Sequence, residues 1–371
     1  MELELADIFR EYGLAYREKY ADKLLPSHRQ AMWAIERCRT EALGGQLYGC
    51  ASCGEFQYSY HSCRNRHCPK CQHELTQDWL EVQKELLLPV PYFMVTFTLP
   101  SELRELVSRN QKLMYTLLFQ ASAQSAQKLA QDPRYVGGQI GLVGVLHTWT
   151  RNLIYHPHVH YLAPGGGLST DGQTWLPAQN RFFLPVPALS KLFRASFRSA
   201  LQKAGLYSQV PQKVWGKAWV VHCKSVGDGQ AALKYLAPYI HRVAISNRRL
   251  VKFTDNGSLE TSQVTFKYRV SGTSQIKFCT LSVESFMQRF LQHILPHGFV
   301  KVRYYGFFGA SVRPRLVLLQ KRLNETAAPE QADETVQETV AAETQPKILC
   351  PKCGQPMLFQ RDIQPSTCRA P

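Results

Sequence analysis

The chain has 371 residues, 44 Lys+Arg against 28 Asp+Glu and a formal net charge of +16. A hydrophobic fraction of 44% excludes disorder as the overall state, and the length predicts two or three domains with a sizeable core. The excess positive charge points to a polyanionic partner, with nucleic acid ahead of an anionic membrane surface. No apolar run approaches the roughly 18 residues a membrane span needs. The start, Met1-Glu2-Leu3-Glu4, is acidic where a signal peptide is basic. The 11 cysteines are odd in number and mostly in CxxC pairs, which reads as thiolate metal sites in a reducing, cytoplasmic setting rather than a secreted disulfide scaffold.

In chain order, residues 4–42 predict two helices separated by Leu24-Leu25-Pro26-Ser27, with Ser27 as a cap for the second and Met32, Trp33, Ile35 and Cys38 as its apolar positions. Residues 46–73 hold a cysteine cluster, and 74–88 are periodic in the manner of a helix. The pattern changes at Pro89–Pro91. Residues 92–99 form a β-branched and aromatic run that predicts a strand. A long helix is expected over 102–131, then strands over 140–149 and 158–162 and a helix over 188–204. A strand over 214–222 and a helix over 229–241 follow. Short strands between 250 and 281, a helix over 285–294 and a strand over 299–305 complete the body. Strands mixed with helices in this way predict an α+β domain built on an antiparallel sheet.

From Leu323 to Pro346 there is no Lys or Arg but six acids, so the rest of the chain carries 44 basic against 22 acidic residues, or +22. That stretch holds too few large apolar residues to offset its ordering entropy and is expected to be a flexible linker. The expected division is therefore 1–88, helical and zinc-binding; 89–322, catalytic; 323–346, acidic linker; and 347–371, a tail.

The strongest metal signal is Cys50-x2-Cys53 followed by Cys68-x2-Cys71, a zinc-ribbon spacing in which two thiolate knuckles share one Zn²⁺. Cys63, His61, His67 and His73 lie between or beside the knuckles and leave the ligand set open. Arg64, Arg66 and Lys70 put positive charge beside the metal, where it fits phosphate contact. A second pair, Cys350 and Cys353, has only Cys368 downstream and reads as a truncated knuckle.

His158-Val159-His160 lies on a predicted strand, so both imidazoles project from one face and can hold a divalent ion. Tyr235 and Tyr239 are four apart in a predicted helix and can share a face, and a tyrosine phenol can attack a phosphodiester. Pro238 between them removes an amide hydrogen bond, so the shared face is approximate. Arg242, Arg248 and Arg249, and Arg303 within Lys301–Phe308, where bases alternate with rings, fit a single-stranded DNA channel.

These motifs occur in a familiar order: cysteine domain, His158-Val159-His160, a Gly165–Gly167 turn, then the tyrosine helix. The chain resembles the rolling-circle insertion-sequence transposases of the two-tyrosine HUH group (IS-ninety-one type) from about residue 5 to 320. HUH denotes two histidines around a hydrophobic residue. The resemblance implies an HUH endonuclease-like antiparallel sheet with helices, preceded by a small helical zinc-ribbon domain. It implies cleavage of single-stranded DNA at element ends and in target DNA through 5′-phosphotyrosine links at Tyr235 and Tyr239. His158 and His160 would hold Mg²⁺ or Mn²⁺, with a third ligand from another strand or from the tyrosine helix: His147 on the preceding strand first, then Gln230 and His241. The cell nucleoid would be the place of action. A plasmid initiator or relaxase of the same superfamily, or a non-enzymatic zinc-ribbon DNA-binding protein, are the alternatives.

Overall fold

The computed structural model describes residues 2–71, 80–81, 83–178, 182–231, 233, 244–270, 272–327 and 348–366. The first two helices are α1 (Leu5–Lys19) and α2 (Pro26–Arg37). Ser27 does not cap α2. Leu25 is the N-cap and Pro26 opens the helix, because proline's missing amide costs nothing there. Strands β1 (Gly45–Gly49) and β2 (Phe56–Tyr60) form a hairpin around Cys50–Glu55. Of the expected helix over 74–88, residues 74–79 and 82 lie outside the described residues, as do 72 and 73 before it. Then come β3 (Tyr92–Thr98), α3 (Arg104–Arg109) and α4 (Gln111–Ala130). The single long helix expected over 102–131 is broken at Asn110, whose φ of −126° and ψ of 40° leave the helical region.

Strands β4 (Leu142–Trp149) and β5 (Tyr155–Pro164) follow, with β6 (Gly166–Leu168) and β7 (Trp175–Pro177) as a small flap, and then α5 (Val186–Lys203). The strand expected over 214–222 starts late, as β8 (Val221–Gly227); Val214 instead packs in a short 3-10 turn. Strands β9 (Leu250–Thr254), β10 (Gln263–Arg269) and β11 (Ile276–Ser282) form a meander that leads into α6 (Val283–Leu291). The chain continues through β12 (Val302–Tyr305), α7 (Arg313–Ala327) and β13 (Leu358–Ile363).

The antiparallel α+β architecture is as expected. Its centre is a five-stranded sheet in the order β12-β4-β5-β3-β8, antiparallel throughout. Alternation along the strands sorts side chains to two faces. Phe93, Val95 and Phe97 of β3, Leu142 and Leu146 of β4, and Val159, Tyr161 and Ala163 of β5 all pack with α4 and α5 into the main core. The opposite face is apolar at one end, where Met94, Val143 and Leu162 meet Phe307, Leu316 and Leu319. At its other end the same face carries Thr96, Thr98, His147, His158 and His160, and there it is open.

A second core joins α1 and α2 to the β9–β11 meander and α6, with Phe9 edge-on to Phe290 at 5.5 Å. Asn247 Oδ1 accepts from the Leu5 amide at 3.1 Å. The first two helices thus share their core with residues 244–294, across the division expected at residue 88. The tail also departs from expectation. β13 pairs with β1, giving a three-stranded sheet β13-β1-β2. Residues 323–327 finish α7, and 328–347, most of the expected linker, lie outside the described residues. No described helix is long and apolar enough to cross a membrane.

Candidate active site and cysteine clusters

His147, His158 and His160 come together. Register places His147 directly across from His158, and His160 one pleat along β5 on the same face. The candidate ligand atoms of all three lie within 4.8 Å of one another. Each ring is held from behind. His158 Nδ1 bonds the His156 carbonyl at 2.6 Å, which requires the proton on Nδ1 and leaves Nε2 as the lone-pair nitrogen. Thr96 Oγ1, opposite His160 on β3, bonds His160 Nδ1 at 2.9 Å. His147 stacks on Trp149 at 5.0 Å. Burial pushes the His158 imidazole down to about 3, with the neighbouring His160 acting in the same direction, and burial alone pushes His160 down to about 4. Both are therefore neutral at pH 7, the state a metal requires. Three imidazole nitrogens at this spacing fit one divalent cation. The donor set favours Mn²⁺ over the harder Mg²⁺, which prefers oxygen. Gln230, considered as an alternative ligand, is exposed outside this group, and His241 lies outside the described residues.

The histidines form the floor of a cleft of about 930 Å³. Its walls carry Arg151, Lys224, Arg249, Arg269 and Lys277, and no Asp or Glu lines it among the described residues. Such a surface attracts phosphates. Ala231 lines the wall. Tyr235 and Tyr239 follow it four and eight residues on, and lie outside the described residues.

Of the arginines and lysine read as DNA contacts, Arg249 alone lines this cleft among the described residues. It donates to the carbonyls of Lys267 and Ala244 at 3.0 and 3.3 Å and to that of Arg151, so it also ties the meander to the sheet. Arg66 donates to the Phe299 and Pro296 carbonyls at 2.6 and 2.9 Å, and Lys70 pairs with Glu4 at 2.6 Å. Arg303 lies over the Phe119 and Phe299 rings at 4.6 and 5.2 Å. These three are anchored in intramolecular contacts rather than presented to a cleft. Arg64 and Arg248 are exposed outside the cleft, and Arg242 lies outside the described residues. Sequence reasoning missed Arg151, Lys224, Arg269 and Lys277, which are scattered over four segments and meet only through the fold.

The cysteines regroup. Cys50, Cys53, Cys68 and Cys71 do not form one set. Cys68 and Cys71 join Cys38, at the end of α2, and Cys63; Cys50 and Cys53 join Cys350 and Cys353. In the first group Cys71 Sγ is 3.5 Å from Cys38 Sγ and 3.6 Å from Cys63 Sγ. The spacing of Cys68-x2-Cys71 shows one half of that site. Cys38, read as an apolar helix position, sits alone in sequence and carries no such signal.

Comparisons with known proteins agree with this layout. Residues 141–315 match the family described as "Putative transposase", and residues 8–99 match the "Transposase zinc-binding domain" of IS91 type. The chain is 39% identical over 389 residues to "Putative transposase y4qJ" of Sinorhizobium fredii (strain NBRC 101917 / NGR234), covering 97% of this chain and 95% of that one. It is 29% identical over 300 residues to the "Transposase for insertion sequence element IS801" of Pseudomonas savastanoi pv. phaseolicola, covering 74% and 68%. No solved structure matches significantly. A histidine-floored, cation-walled cleft together with two four-cysteine clusters suits a protein that handles DNA and carries structural zinc. The chain belongs to the IS91 family of insertion-sequence transposases. DNA is accordingly its substrate class, and the zinc-binding match together with the cysteine clusters supports structural Zn²⁺.

Proposed function

We propose that this transposase cleaves and rejoins single-stranded DNA at element ends and target through 5′-phosphotyrosine links at Tyr235 and Tyr239, in rolling-circle transposition. The observation that carries the proposal is the meeting of His147, His158 and His160 on the floor of a cleft walled by cations. In this reading the phenol oxygen of one tyrosine attacks the scissile phosphorus. The bond from phosphorus to O3′ breaks, and the proton lost by the phenol balances the one gained by the released 3′-hydroxyl. The three imidazoles hold Mn²⁺ or Mg²⁺, which would polarise the scissile phosphate and stabilise its developing charge. Thr96 and the His156 carbonyl orient two of the imidazoles. Arg151, Lys277 and the other wall cations hold the flanking phosphates. The second tyrosine allows a second cleavage while the first link persists. A single catalytic domain over about 89–322 would carry these steps.

The test is incubation with labelled single-stranded element ends and Mn²⁺. The wild type is expected to form a covalent adduct of tyrosine with the 5′ side of the cut, and Tyr235→Phe/Tyr239→Phe to form none. An adduct that survives the double substitution overturns the assignment of the tyrosines.

A further inference from the structure

The Cys350-Cys353 pair lies beyond both matched family regions, at 141–315 and 8–99, and no complete site is visible around it in sequence. In the fold it faces Cys50 and Cys53. Cys50 Sγ lies 3.5 Å from Cys353 Sγ, and Cys53 Sγ 3.5 Å from Cys350 Sγ. Four thiolates around one Zn²⁺, with Zn–S near 2.3 Å, stand roughly 3.8 Å apart along the tetrahedron's edges. A disulfide needs about 2.05 Å, well inside what is seen here.

The two half-sites also share one backbone shape. Cys50 N donates to the Glu55 carbonyl at 2.8 Å and Gly54 N to the Cys50 carbonyl at 2.9 Å. Cys350 N donates to the Gln355 carbonyl at 2.8 Å and Gly354 N to the Cys350 carbonyl at 2.8 Å. Gly54 and Gly354 both sit at φ +73°, where an L side chain would be strained. Each knuckle closes a β-turn of strand, one between β1 and β2 and the other between Leu349 and Pro356, which form a bridge. The pairing of β13 with β1 brings the two knuckles mouth to mouth.

We infer that Cys50, Cys53, Cys350 and Cys353 form a second structural zinc site, built from two knuckles about 300 residues apart, that fastens the C-terminal segment to the N-terminal ribbon. The set is all thiolate, which selects a soft or borderline ion such as Zn²⁺ over Mg²⁺ or Mn²⁺. The site is separate from the Cys38, Cys63, Cys68 and Cys71 cluster and from the histidine cleft, and it does not rest on the chemistry proposed there.

The test uses the full-length chain loaded with Co²⁺, because thiolate-to-cobalt charge transfer reports cysteine sites and is silent for the histidines. Wild type is expected to show two tetrahedral thiolate sites. Cys350→Ser/Cys353→Ser should halve the signal, and Cys63→Ser/Cys68→Ser should remove the other half. A full signal in Cys350→Ser/Cys353→Ser, or disulfides in place of these thiols on native thiol counting, overturns the inference. A second measurement avoids substitution at the site. A protease site is inserted within residues 328–347 and the chain is cut. The released tail is expected to co-elute with the body until a chelator is added. Separation without chelator, or retention in its presence, overturns the inference equally.

Discussion

His147 and His158 stand directly opposite each other across β4 and β5, their ring centroids 5.3 Å apart and nearly perpendicular. His160, 4.8 Å from each of them, closes the triangle. Because Thr96 orients His160 from the neighbouring strand, Thr96→Val should weaken Mn²⁺ binding by roughly 10–100-fold while leaving the fold intact. His147→Ala should remove a donor and weaken binding at least as much. Calorimetric titration with Mn²⁺ checks both; unchanged affinity in His147→Ala would remove that residue from the site.

The cleft walls make a prediction about salt. Arg151 and Lys277 come from different segments and both face the cleft. If each neutralises one phosphate, Arg151→Ala or Lys277→Ala should reduce the slope of log affinity against log salt by about 0.7 for single-stranded DNA. Fluorescence anisotropy at several salt concentrations measures that slope, and an unchanged slope would place the DNA elsewhere.

Arg303 should behave differently. Its guanidinium lies over Phe119 and Phe299 and bonds Thr116 Oγ1 at 3.3 Å. Arg303→Ala is expected to cost about 1 kcal/mol of stability with little change in the salt slope. Chemical denaturation and the same anisotropy series separate the two effects.

His293 supplies a pH dependence. It is buried between Trp149 and Tyr155, its Nε2 donates to the Leu153 carbonyl at 3.3 Å and its Nδ1 accepts from Thr148 Oγ1 at 3.2 Å, and burial pushes its imidazole down to about 4. Above about pH 6.5 the ring is neutral in both folded and unfolded chains, and it makes no pH-dependent difference. As pH falls through that value, the unfolded chain takes up a proton that the folded chain refuses until about pH 4. Stability should therefore drop over this window, by about 2 kcal/mol at pH 5 from this group. Denaturation at pH 7 and pH 5 should show a smaller drop in His293→Gln than in the wild type.

The central sheet is legible in sequence because both its signals are local. The β-branched run at 92–99 reads as a strand, and His158-Val159-His160 declares its own face through the two-residue period. Even His147 was accessible, because antiparallel neighbours place consecutive strands side by side. What was not legible depended on distant pairing. The mate of Cys50-x2-Cys53 lies about 300 residues away, and nothing in a spacing of 14 residues to Cys68 reveals that the nearer pair belongs elsewhere. Arg66 and Lys70 read as free charge in sequence, yet the carbonyls of Pro296 and Phe299 and the carboxylate of Glu4 engage them. Charge counts locate a polyanion partner for the whole chain, but only the fold distinguishes a cation that holds the protein together from one that faces the cleft.

The shared core of α1, α2, the meander and α6 has a consequence for how the molecule is made. Phe9 leaves the ribosome long before Phe290, the ring it packs against, and Tyr12 long before Phe253. At ordinary synthesis rates of about 5–20 residues per second, the delay is on the order of 10–50 s. For that time only α2 lies against the first helix, and the part of its apolar face that meets the meander and α6 is a natural site for a chaperone to hold. The first helix thus completes its native contacts only after residues nearly three hundred positions further along have been made.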